Sequence, residues 1–354
     1  MRLSPRALCV LILAIGCLGR EAAATEPQNF GGQSKSISLP YLNAAAPGAP
    51  MTDRPQLDLS IGGAKLKALV DTGSTGVAFS AARIPHLRSL PHLGRGELVY
   101  TGSRRVLRGR WVLAPVTVSG ADGASITTRP ILVLAVEALR CLPGSKSCRP
   151  RRKPDDIAML GVGFARRTRF PDPHVNPFMS AEDMGTAEHP GAMRRGYIIS
   201  RTGVQLGLNA ANTAGFSFVK LGKGEAGSQW APAPACIALD DRAPARGTML
   251  MDTGAGVMFL RVPYAHRGRA ESGRVTLPDG TRIHISVPGL PVAAYSVRVG
   301  DSADPMVPNK AVLAGPPHPA PFVNTSYHFL NGFDYLYDAD GGYVGVRPLA
   351  GGAR

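Results

Sequence analysis

The chain reads as an all-β protein built from two similar halves, and three observations lead there. It holds 42 glycines and 31 prolines, a supply of turn formers that leaves little room for long helices. Few stretches place apolar residues at helical spacing, whereas many short apolar runs lie between turn residues. The tripeptide Asp-Thr-Gly occurs twice, as Asp71-Thr72-Gly73 and Asp252-Thr253-Gly254. Each copy follows an apolar run, Ala68-Leu69-Val70 in the first case and Met249-Leu250-Met251 in the second, so each Asp stands where a buried strand enters a tight turn. Two β-rich halves that each present one strand-end Asp imply two lobes meeting at a shared cleft.

In chain order, Arg2 and Arg6, the apolar residues 7–18 and the small residues Ala22-Ala23-Ala24 have the layout of an export signal cleaved after Ala24. Residues 1–24 are thus assigned to the signal, 25–202 to a first lobe and 203–354 to a second. An alternative uses Ala14-Ile15-Gly16-Cys17, which resembles a bacterial lipoprotein box and would leave Cys17 as a lipid-anchored N-terminus. No later stretch has the length and apolarity of a spanning helix, so the mature chain is expected to be exported, periplasmic or secreted, with no integral membrane segment. Residues 36–42 alternate like an edge strand. Residues 56–70 alternate on both sides of Gly62-Gly63 and read as a hairpin whose second strand delivers Asp71. A comparable hairpin is expected over 100–118 with Thr101-Gly102-Ser103 at its tip, followed by an apolar strand within 126–136. Residues 166–195, rich in Pro, His, Met and charge, read as surface loop with one helical turn, anchored by the apolar positions in 175–179. Strand patterns return at 197–200 and 204–208.

The formal charge of +15 suits acidic peptides, anionic lipid or nucleic acid. It is spread along the chain, and its densest run, 149–153, has no interleaved aromatic residues. That run is a solvated basic loop, with no nucleic-acid partner expected. Cys141 and Cys148 flank a short loop that a disulfide would close in an oxidising compartment, which leaves Cys236 unpaired once the leader is removed. The eight histidines show no metal-ligand spacing, and neither a metal nor a cofactor is expected. Asn324-Thr325-Ser326 matches a glycosylation acceptor but falls in a segment expected to be a buried strand, so it is discounted.

With these residues in place, the chain resembles the pepsin-like aspartic proteases, whose two lobes each donate one Asp from such a motif. Four further segments resemble that family. Residues 156–164 are similar to the apolar-apolar-Gly segment that threads behind the first Asp loop, and Tyr100-Thr101-Gly102-Ser103 to the tip of the flap over the cleft. Residues 197–207 match the end of the first lobe and 329–348 the last strands. The likeness covers 56–348 and implies a bilobal fold with closed, barrel-like lobes, working as a monomer on polypeptide substrates. It assigns catalysis to Asp71 and Asp252, and support to Thr72, Gly73, Ser74, Thr253 and Gly254. Tyr100, Gly102 and Phe79 would line the flap and substrate site. Departures are specific: Ala78 stands where a Trp normally anchors the flap Tyr, a role open to Trp111; Ser326 stands where Gly is usual; and Ala255 replaces a Ser or Thr. The short stretch between the predicted cleavage point and the first strand leaves no room for an inhibitory prosegment.

Peptide hydrolysis needs a base to activate water and an acid to protonate the carbonyl oxygen, and two carboxylates sharing one proton supply both. Held about 3 Å apart, such a pair cannot ionise twice, so one proton is retained. Ala255 cannot donate to Asp252, which predicts a tightly held proton and an activity optimum less acidic than that of stomach pepsins. The alternative reading is a pepsin-fold chain that binds without cutting. A weaker third reading, a basic surface-binding module, rests on charge alone.

Overall fold

The computed structural model describes residues 29–166, 175–224, 230–263, 266, 275–314 and 320–349; the expected signal, with Cys17, lies outside them. The described residues form strands gathered in three sheets with short 3-10 turns between them, so the chain is all-β.

The first sheet is organised around Asp71. Gln56–Ile61 and Ala64–Asp71 pair antiparallel across Gly62-Gly63, whose φ angles of 57° and 86° are the two positive values a two-residue type I′ turn demands. Alternation buries Leu57, Leu59 and Ile61 on one side of this hairpin. After Asp71 the chain turns into Thr75–Ser80, and Ala158–Val162 threads between the two strands. It runs parallel to the first, with Leu160 opposite Val70, and antiparallel to the second, with Leu160 opposite Val77. Ile131–Cys141 lies parallel to Thr75–Ser80 on its other side and carries the long hairpin of His92–Tyr100 and Arg105–Ala114. That hairpin begins eight residues before the expected start at Tyr100, because Gly94 and Gly96 mask the alternation of its first strand.

The second sheet repeats the arrangement around Asp252. Ala233–Leu239 pairs antiparallel with Ala245–Leu250, and Phe322–Asn324 threads between Ala245–Leu250, to which it is parallel, and Val257–Arg261, to which it is antiparallel. Lys310–Leu313 is parallel to Val257–Arg261. Four consecutive strand pairings therefore agree in order and direction between the sheets, so the duplication of the motif extends to its framework.

A third, six-stranded sheet runs in the order Ile37–Pro40, Gly203–Leu208, Arg194–Ile199, Phe333–Asp338, Tyr343–Pro348, Ser217–Lys220. It draws strands from both ends of the chain and from its middle, and Ile37–Pro40 is the edge strand that residues 36–42 foretold. The division expected between Thr202 and Gly203 consequently cuts a hairpin inside this sheet, whose strands come from both sides of the boundary. Arg194 binds the fully buried Asp338 through two bonds of 3.1 and 2.8 Å. The hydrophobic core is continuous across all three sheets, from Leu59 and Val77 through Tyr197 and Tyr337 to Leu260 and Ile285.

Three expectations are corrected. Residues 175–181 are buried rather than surface loop, because Asn176 donates to the Val162 carbonyl at 3.1 Å and ties them behind the threading strand, while one 3-10 turn, Glu182–Met184, follows. Phe79 is fully buried in the main core: on Thr75–Ser80, Val77 and Phe79 face inward, and only Ala78 faces the flap. Cys141 and Cys148 do form a disulfide, but Cys236 is also disulfide-bonded rather than unpaired.

Candidate active site

The two Asp-Thr-Gly turns meet face to face. The Thr72 amide donates to Thr253 Oγ1 at 3.0 Å, and the Thr253 amide returns a bond to Thr72 Oγ1 at 2.9 Å. Each hydroxyl then donates across to the strand delivering the other Asp, Thr72 to the Met251 carbonyl at 2.5 Å and Thr253 to the Val70 carbonyl at 2.6 Å. The amide and the hydroxyl of both threonines are thereby satisfied, and the turns are locked in one mutual orientation.

This lock brings the acids together. A Cβ placed on Gly73 would come within 2.5 Å of the Asp252 carboxylate, and one on Gly254 would collide with Asp71 in the same way. Glycine is required at both positions because each carboxylate occupies the space of the opposite residue's side chain. Both acids are nearly buried. Gly73 N donates to Asp71 Oδ1 at 2.8 Å, and Gly254 N to Asp252 Oδ1 at 2.8 Å. Ser74 Oγ donates to Asp71 Oδ2 at 2.5 Å, as expected from sequence. Burial, reinforced by the Asp71 charge and a hydrogen bond with Asp71, pushes the Asp252 pKa up to about 7.

The donor missing at Ala255 is supplied elsewhere. Asn324, at the end of the threading strand, donates its Nδ2 to Asp252 Oδ2, the mirror of Ser74 on Asp71, and this bond favours the ionised form. The proton on Asp252 is thus held by burial and by Asp71, and not by want of a donor. Asn324 is buried and its amide engaged, so it is no glycosylation acceptor. Two residues on, Ser326 has φ 64° and ψ 176°, backbone that is nearly exclusive to glycine. Its amide donates to Asn324 Oδ1 at 3.0 Å, so the strained turn holds the asparagine against Asp252.

A cavity of about 580 Å³ opens beside the pair, bounded by Ser74, Tyr100, Trp111, Arg166, Arg261 and Phe322. Tyr100 ends the first flap strand; burial and then the Asp71 charge raise its pKa far above the ordinary phenol range, so its hydroxyl stays protonated. Trp111 packs with Ala78, Leu134 and Tyr100 under the flap, filling with its ring the space left by the small Ala78. Trp111 thus supplies a ring beneath Tyr100, whose hydroxyl lies by Ser74. Gly102 is exposed at the hairpin tip, where a Cβ would lie 4.0 Å from Phe259 on a strand of the other Asp sheet. Sequence reasoning missed Asn324 as a ligand of Asp252, and missed Arg166 and Arg261 altogether. Among the described residues, no group of three or more His, Cys, Asp or Glu side chains is placed to hold a metal.

No protein-family model matches the chain, and no curated protein matches it.

Proposed function

We propose that this chain is a single-chain aspartic endopeptidase of bilobal, pepsin-like organisation, hydrolysing polypeptides with no cofactor. The observation that carries the reading is the reciprocal packing of each carboxylate against the opposite glycine, which leaves Asp71 and Asp252 in mutual hydrogen-bond contact. Two acids so placed share one proton. The ionised member takes a proton from a water held between them, that water attacks the peptide carbonyl, and the protonated member gives its proton to the carbonyl oxygen. The resulting diol collapses when a proton passes to the leaving nitrogen, and no covalent intermediate with the enzyme is needed. Tyr100, kept neutral, would cover the substrate and exclude bulk water. The disulfide, together with the lack of any membrane-spanning helix among the described residues, is compatible with export.

The test is cleavage of an unfolded protein at several pH values, with and without a statine-type inhibitor. Asp71→Asn and Asp252→Asn should each lower the rate by about 10³-fold or more. Equal proteolysis by the Asn variants would reject the reading, and binding of peptides with no cleavage at any pH would favour the non-cutting pepsin-fold protein.

A further inference from the structure

The cavity beside the two acids contains two arginines that the hydrolytic mechanism does not use. Arg166 follows Phe164, which stacks on Tyr337 of the third sheet with ring centroids 4.0 Å apart, and Ala165, whose φ of 53° is rare for a residue with a side chain. The stacked ring and the left-handed turn together send the next residue into the cavity. Arg261 ends the strand Val257–Arg261, and its guanidinium lies 4.8 Å from the centroid of Phe322. Its Nε is buried with no hydrogen-bond partner.

Several other arginines are held by carboxylates. Arg110 pairs with Glu137, Arg194 with Asp338 and Arg347 with Asp334. Among the described residues lining the cavity the one acid, Glu97, is bonded to Arg108 at 3.0 Å. An arginine keeps its charge at any accessible pH, so the cavity carries two positive charges. An acid pair holding one proton carries a single negative charge, which leaves one positive charge to be balanced. A planar carboxylate meets that demand, since guanidinium groups bind it through paired, charge-assisted bonds, whereas an apolar side chain would leave the buried Nε unsatisfied and a neutral amide would accept its bond without balancing the charge.

We propose that Arg166 and Arg261 form a carboxylate-binding pocket beside Asp71 and Asp252, so that the enzyme selects polypeptides carrying an acidic group next to the cleaved bond. This rests on the endopeptidase reading and deepens it by naming the substrate class. The carboxylate is that of an Asp or Glu side chain or that of a nearby chain terminus. The net charge of +15 would favour encounter with the same acidic chains.

The experiment uses matched fluorogenic peptides that differ only by Glu or Gln beside the cleaved bond, each with a free and an amidated C-terminus, at 0.15 M salt. The wild-type chain should cleave the Glu peptide with a kcat/KM about tenfold or more above that of Gln. Arg261→Met and Arg166→Met should each reduce that ratio towards one. Arg261→Lys, which keeps the charge on a similar stem, should retain part of it, and Arg88→Met at an exposed site should leave it unchanged. A preference that follows the free terminus instead of the side chain assigns the pocket to a chain end. The same peptides are titrated by fluorescence anisotropy against the Asp71→Asn protein, so that failure to cleave does not hide the pocket. There the Glu peptide should bind about tenfold tighter, and Arg261→Met should erase the difference. Equal binding and equal turnover of all peptides, or a Glu preference that survives both Met variants, overturns the proposal. Absence of cleavage with the Glu preference intact in binding overturns the endopeptidase reading alone.

Discussion

Asn324 decides how the second acid behaves, because its amide is the side-chain donor that offsets the burial of Asp252. Removing that donor withdraws support from the ionised form, so Asn324→Ala should move the alkaline limb of the pH–rate profile upward from its expected position near pH 7. The sign follows from linkage: a hydrogen bond to the charged form lowers a pKa, and its loss raises it. The change should be about one pH unit, with a lower kcat because Asp252 also loses its orientation. A limb unmoved, or moved to lower pH, would show that Asn324 does not act on the acid. Ala255→Thr should have a smaller effect than its sequence position implies, since the donor site it would fill is already occupied. The two acids, their threonines and the bond from Ser74 were legible in the sequence because each lies within a few residues of its partner motif. Asn324 and Arg166 were not. Their contacts arise from the threading strands, which bring positions 72 residues from Asp252 and 95 from Asp71 to the same place, and nothing local marks them.

The flap is not a free hairpin. Arg105 to Ala114 pairs along its whole length with Ile131–Cys141, and the loop closed by the Cys141–Cys148 disulfide is bound to the hairpin tip. The Leu142 amide donates to the Arg104 carbonyl at 2.9 Å, and the Arg104 guanidinium donates to the Pro143 carbonyl. Breaking the bridge in a Cys141→Ser, Cys148→Ser double variant restores the freedom of a short loop, a stabilisation of about 2 kcal/mol in the chain-entropy account. The loss should be local. Amide exchange should quicken over residues 99–107 and remain unchanged in the strands around Asp252; equal loss in both places, or none, would show that the bridge does not hold the flap. The hairpin delivering Asp71 was readable because Gln56–Asp71 alternates about two glycines. Residues 175–181 were misread because their Pro and polar content imitates a loop, while their burial depends on Asn176 reaching the strand ahead of them. The two-residue period of Thr75–Ser80 points Phe79 into the core and not into the substrate site expected for it.

At the scale of the molecule, the two Asp sheets repeat one strand plan, and the third sheet joins strands from both ends of the chain, so the acids are held by a continuous core. Such a frame keeps two carboxylates in contact even though their repulsion opposes folding, and this makes stability depend on pH in a definite direction. Asp252 has a pKa raised from 3.8 to about 7 by burial and by Asp71. The folded chain therefore binds a proton there that the unfolded chain has released at any pH between those values. Its contribution is fully present below about pH 4 and is lost as pH rises through 7, at about 1 kcal/mol for each unit in that window. Thermal unfolding followed from pH 4 to pH 8 should thus show this site lowering the melting temperature across the window. Asp252→Asn cannot ionise and keeps a similar shape, so its curve should lack that fall and should cross above wild type near neutral pH. Other acids contribute slopes of their own, and the difference between the two curves isolates this one. A wild-type minus variant difference that stays flat from pH 4 to 8 would mean that Asp252 gives up its proton at an ordinary carboxyl pH. In that case the two acids do not share a proton in the folded chain, and the hydrolytic chemistry proposed for them loses its general acid.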